Sequence, residues 1–179
     1  VKPLIEELIA DPEAAPQIDR VLASGSGDID AEFLGFTDIY QHLSQVIPKH
    51  FTVVDLGCAY APQAFYFRNH RAYIGVDLPM PEHPIERFSF KNSRFYLMPI
   101  KDYIAVEVVL NKEFDLDTAF AICSYVPSWV GDNSEMVRRA FKNCFVFYPA
   151  GDPAFLETQE EMIGLVRKPP PVGWNSVGA

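Results

Sequence analysis

Three cysteines in 179 residues, Cys58, Cys123 and Cys144, are too few and too scattered for a disulfide framework or a zinc site. Each falls at or beside an apolar run, where reduced, buried thiols sit. The four histidines, His42, His50, His70 and His83, show no ligand spacing with one another or with the cysteines, so no metal site is expected. Long apolar runs are missing too. No window approaches the roughly 18 uninterrupted apolar residues of a membrane span, and no basic segment followed by an apolar one opens the chain. Positive charge is scarce: the formal net charge is −9, and the densest basic clusters, Arg68-Asn69-His70-Arg71 and Arg138-Arg139, are short and flanked by apolar residues. A protein that grips a phosphate backbone carries a basic face. The expectation is a cytoplasmic protein with neither a nucleic-acid nor a membrane partner.

What is present is an apolar half (49% hydrophobic) sufficient for the core of one domain of ordinary size. Its most informative stretch is Phe51-Thr52-Val53-Val54-Asp55-Leu56-Gly57-Cys58-Ala59-Tyr60, a buried-strand run that closes on an acid and then a glycine. A second run, Ala72-Tyr73-Ile74-Gly75-Val76-Asp77, also ends in aspartate. The roughly twenty-residue interval between them is that of a nucleotide-binding βαβ unit. Two parallel strands that each close on a carboxylate bring both acids to one sheet edge, where open α/β folds hold ligands. That arrangement suits a nucleoside.

Around these runs strands alternate with helices. Residues 3–23 read as one or two short helices broken at Asp11-Pro12, and Ser24-Gly25-Ser26-Gly27 as a joint. A helix follows, with Asp30 as its N-cap and Phe33, Phe36, Tyr40, Leu43 and Ile47 on one stripe. Later come a helix from Pro62 to about His70, a proline-broken stretch over 78–93, a strand Arg94–Met98 and a helix Lys101–Leu110. A strand within Asp115–Cys123, a helix Asn133–Lys142, a strand Cys144–Tyr148 and weak helical spacing over Phe155–Val166 complete the pattern. Such alternation predicts an α/β fold with a mostly parallel sheet of about five strands joined by right-handed crossovers. The expected division is an N-terminal helical extension over 1–27, the α/β domain over 28–168 and a proline-rich tail over 169–179.

Val53-Val54-Asp55-Leu56-Gly57-Cys58 resembles the first motif of class I S-adenosylmethionine-dependent methyltransferases, in which an acid closes the first strand and a glycine-rich turn passes beneath the cofactor. Asp77 matches that family's ribose-binding acid, and Ser124-Tyr125 match in position the segment facing the reacting methyl group. The resemblance implies S-adenosyl-L-methionine as cofactor, bound by Asp55, Gly57, Cys58, Ala59, Asp77, Leu78, Ile100 and Ser124, with Tyr125 and Trp129 towards the substrate. It implies a Rossmann-like three-layer sandwich with strand order 3-2-1-4-5, and methyl transfer to a small-molecule or protein acceptor or, as the alternative, a binding or interaction domain without turnover. No catalytic residue is assigned. The chain departs from the family at Ala59 and Ala61, where further glycines are usual, and at Met98-Pro99-Ile100, where an acid often receives the adenine amino group. Asp55 is placed either to orient the turn or to meet the cofactor's amino group. Asp102 is open between an adenine contact and a helix-start acid.

Overall fold

The computed structural model describes residues 4–24, 37–79, 85–124 and 133–147. In chain order the elements are helices α1 (Leu4–Ala10), α2 (Ala15–Ser24) and α3 (Thr37–Val46), strand β1 (Thr52–Leu56), helix α4 (Ala64–Phe67), then strands β2 (Ala72–Asp77) and β3 (Ser93–Leu97). Helix α5 (Ile100–Tyr103) runs into a π-helix (Ile104–Leu110), followed by a 3-10 turn (Leu116–Thr118), strand β4 (Ala119–Ser124), helix α6 (Asn133–Ala140) and strand β5 (Cys144–Phe147). The five strands form one sheet in the order β3-β2-β1-β4-β5, with every neighbouring pair parallel. This is the expected Rossmann-like α/β sandwich.

Burial on both faces explains why the strands read as unbroken apolar runs: all five residues of β1 are buried. Side chains alternate between faces. Val53, Tyr73, Phe120, Ile122 and Phe145 join Leu4, Leu8, Val21, Tyr40, Leu43 and Phe67 in one core, so α1 to α4 cover that side. Val54, Leu56, Ile74, Val76, Ala121, Cys123, Cys144 and Val146 join Tyr103, Ile104, Val108, Val137 and Phe141 in the other, under α5, the π-helix and α6.

The first two helices are bound into this structure. Gln17 donates to the carbonyl of Ser89 at 2.9 Å and accepts from its N–H at 2.9 Å, and Arg68 of the first crossover pairs with Asp11. Residues 85–90 form no helix; this extended segment crosses the same face, with Phe88 and Phe90 buried. At Gly75 a side chain would lie 2.6 Å from the Phe95 ring and 2.8 Å from the Cys58 sulfur, so only glycine lets strand, ring and thiol approach this closely.

Two expectations need correction. The helix expected from Pro62 to His70 is only Ala64–Phe67, because the chain turns at 68–70 to enter β2, where the Arg71 N–H donates to Lys49. The helix expected over Lys101–Leu110 starts as α and continues as π, closed by the Asn111 N–H on the Val106 carbonyl at 2.8 Å. Ile104, Val106, Val108 and Val109 make this a β-branched run, which α-winding accommodates poorly. In the helix expected from Asp30, the segment Thr37–Val46 is observed, while Asp30, Phe33 and Phe36 lie outside the described residues, as does Phe155–Val166.

Candidate nucleoside-binding site

The register brings the two acids together. Asp55 pairs with Gly75, two residues before Asp77, so Asp55 and Asp77 project from one face of adjacent strands. Their environments differ. Asp55 is fully buried, and its Oδ2 accepts hydrogen bonds from the Tyr73 hydroxyl at 2.5 Å and Gln63 Nε2 at 2.7 Å. The Tyr40 hydroxyl donates to Oδ1 at 3.4 Å. Burial pushes the Asp55 carboxyl up to about 6, partly offset by these three donors.

Gln63 Nε2 also donates to the Cys58 carbonyl at 3.1 Å, so Asp55 acts on the turn through Gln63. Of the two parts open to it, orienting the turn is the one its geometry serves. Aromatic packing fixes the donors in turn: the Tyr73 ring stacks on Phe67 at 5.9 Å, and Tyr40 meets Phe67 edge-on at 6.4 Å.

The turn itself follows β1. The Gly57 and Cys58 N–H groups both donate to the Val76 carbonyl, at 2.7 and 3.1 Å, which holds the turn against the end of β2. Gly57 has φ 86°, and Ala59 and Ala61 have φ 47° and 55°. The two alanines thus occupy the left-handed region that glycine enters freely, at a cost of order 1 kcal/mol or more each. Tyr60 packs its ring against the core, while its carbonyl accepts the Phe88 N–H at 2.9 Å. The four-residue α4 has no side-chain cap.

Asp77 lies at the rim of the sheet, with its side chain 22% exposed. Oδ1 accepts the Leu78 N–H at 2.8 Å, and Oδ2 faces an Arg87 guanidinium nitrogen at 3.4 Å. Leu78 is half exposed beside it. Cys58 is buried, and its thiol is pushed well above the ordinary range, first by burial and then by the charges of Asp55 and Asp77. It fills space beneath the turn and is no nucleophile at neutral pH.

Ile100 packs against the core of the opposite face, and Asp102 is exposed in the first turn of α5, a position favoured by the helix dipole. Ser124 ends β4 one residue past Cys123, the partner of Leu56, which brings its backbone to the edge that carries Gly57. Tyr125 and Trp129 lie outside the described residues.

Sequence reasoning missed Tyr40, Gln63, Tyr73 and Arg87. A buried acid demands donors, and that rule alone points to polar residues near Asp55 without naming them. Among the described residues no group of three or more His, Cys, Asp or Glu side chains could hold a metal ion. No helix among them is long and apolar enough to cross a membrane.

No family model matches the sequence, and comparison with curated proteins gives no match. Among solved structures, a chain from Streptococcus mutans named "putative SAM-dependent methyltransferase" is similar at TM-score 0.45 and 17% identity, covering 63% of this chain and 32% of that one. A second, from Anaeromyxobacter dehalogenans and named "putative type II methyltransferase", is similar at TM-score 0.40 and 15% identity, covering 57% of this chain and 41% of that one. This chain therefore spans well under half the length of either, and the fold assignment rests on the strand order and pairing themselves.

Proposed function

We propose that this chain binds S-adenosyl-L-methionine at the ends of β1 and β2 and supports methyl transfer to a small-molecule or protein acceptor. The observation that carries the reading is the turn after β1. Two alanines are held in a conformation natural to glycine, directly beside a rim carboxylate on the same face of the sheet. Strained backbone of this kind persists where the surrounding structure over-determines it, and it concentrates at ligand sites. Small residues at 57, 59 and 61 keep the backbone open to a ligand, and both Asp77 oxygens retain acceptor capacity for ribose hydroxyls. These residues fit the cofactor.

When bound, the cofactor supplies an already activated methyl group on a sulfonium. The chain's own work is then alignment and exclusion of water. Asp77 would hold the sugar; Gly57, Ala59 and the Asp55–Gln63 brace would fix the turn beneath the ligand; Leu78 would offer apolar surface at the rim. Ser124 belongs to the same proposed wall, Ile100 would close it from the side of the opposite core, and Tyr125 and Trp129 belong to the acceptor side. A general base is needed only for an acceptor that arrives protonated.

Calorimetry on the full chain with S-adenosylmethionine, S-adenosylhomocysteine and NAD tests the proposal. Saturable binding of the first two alone is the expected result, and Asp77→Ala should weaken it about tenfold or more through loss of charged hydrogen bonds. Binding of neither adenosyl compound would overturn the reading. Binding without methyl transfer to any acceptor fraction would favour a domain that senses the cofactor.

A further inference from the structure

We infer that Arg87 is a positioning residue that sets selectivity for an intact ribose by fixing the Asp77 carboxylate; the inference rests on the nucleoside reading above. Arg87 lies on the irregular segment of residues 85–90 that leads towards β3. The neighbouring Phe88 N–H is tied to the Tyr60 carbonyl of the turn, so the segment and the turn form one wall. The Arg87 side chain is only 10% exposed, and its guanidinium lies 3.4 Å from Asp77. Its other terminal nitrogen donates to the Ile85 carbonyl, also at 3.4 Å, and its buried Nε has no partner among the described residues.

A guanidinium buried for structural reasons alone fills its five donors. This one is under-used, and it stands at the rim where the candidate ligand would lie. Its charged partner among the described residues is Asp77. The Leu78 N–H holds one carboxylate oxygen and Arg87 faces the other, which stops rotation of the carboxylate about its own bond. Each oxygen keeps a lone pair. A vicinal diol offers two donors to such a fixed pair of acceptors, and a carboxylate already held in place loses less entropy on receiving them. A sugar lacking one hydroxyl would leave an oxygen unmatched, so discrimination would depend on the carboxylate plane staying fixed.

The test compares S-adenosylhomocysteine with its 2′-deoxyribose analogue by calorimetry, on the wild-type chain, Arg87→Met and Arg87→Lys, with thermal unfolding as a check on folding. The wild type should prefer the ribose compound by about tenfold, the worth of one charge-assisted hydrogen bond. Arg87→Met should lose most of that ratio by weakening the ribose compound alone, and Arg87→Lys, which keeps the charge without the planar fork, should retain part of it. An unchanged ratio in Arg87→Met overturns the inference and leaves the cofactor reading standing. Tighter binding of both compounds by Arg87→Met overturns it too, since Arg87 would then be occupying ligand space. Should the methionine variant fail to fold, a full ratio in Arg87→Lys overturns the inference. Absence of binding to the wild type would sink the cofactor reading and this inference together.

Discussion

The two faces of the sheet are built on different principles. Under α5, the π-helix and α6 the core is aliphatic and aromatic, and the carboxylate that meets it, Glu113, lies at its margin, where it accepts from the Tyr96 and Tyr103 hydroxyls at 2.8 and 3.2 Å. On the face beneath α1 to α4, an ionisable carboxyl is sealed among tyrosines and an amide, with the neutral ring of His70 buried nearby. An apolar core tolerates change of shape at a cost in packing alone. A buried polar cluster fixes one arrangement, because each displaced partner leaves another unsatisfied. The polar face is the one that leads to the turn and the rim acid.

The sharpest way to break this contrast is Phe141→Ala. Phe141 is buried on the apolar face and stacks on Phe114 at 6.3 Å. Its truncation should cost about 3–5 kcal/mol, measured by denaturant unfolding, while ligand affinity of the folded fraction stays unchanged. A comparable loss of affinity would show that the faces are not independent.

Asp55→Asn probes the other side. The Asp55 carboxyl is raised from 3.8 to about 6, so its favourable neutral form is fully available below 3.8 and stability is lost as pH rises through about 6. Buried His70 is lowered from 6.5 to about 4 and acts in the opposite sense, losing stability as pH falls. The two partly cancel in the wild type. Against that background, Asp55→Asn should gain about 1–3 kcal/mol over the wild type at pH 7.5, fading towards pH 4. Equal differences at both pH values would mean that ionised Asp55 carries no burial cost. The smallest effect is expected at the turn, where Ala59→Gly should stabilise by about 0.5–1 kcal/mol through relief of the left-handed alanine. No gain would indicate that the strain lies elsewhere.

Much of the sheet was legible in the sequence because buried parallel strands are continuous apolar runs: the limits of β2, Ala72–Asp77, coincide with the run read there, and β1 is displaced by one residue. Parallel pairing followed from alternation and crossover handedness, and the strand order came with the family resemblance. The donors to Asp55 were hidden because Tyr40, Gln63 and Tyr73 stand on a helix, a turn and a strand, and only tertiary packing unites them. Arg87 was hidden for a plainer reason: prolines mark a break in regular structure and say nothing about where the chain next touches the sheet. Periodicity also could not distinguish α from π winding over Ile104–Leu110, since both bury one stripe. At the turn, residue type and backbone disagreed. Alanine at 59 and 61 argued against left-handed geometry, and the surrounding hydrogen bonds impose it.

All three thiols are interior, one beneath the turn and one on each of β4 and β5. An alkylating reagent can therefore reach sulfur only during excursions in which the sheet parts. The labelling rate at Cys58, compared with those at Cys123 and Cys144, becomes a clock for how often the ligand edge opens without the rest of the sheet.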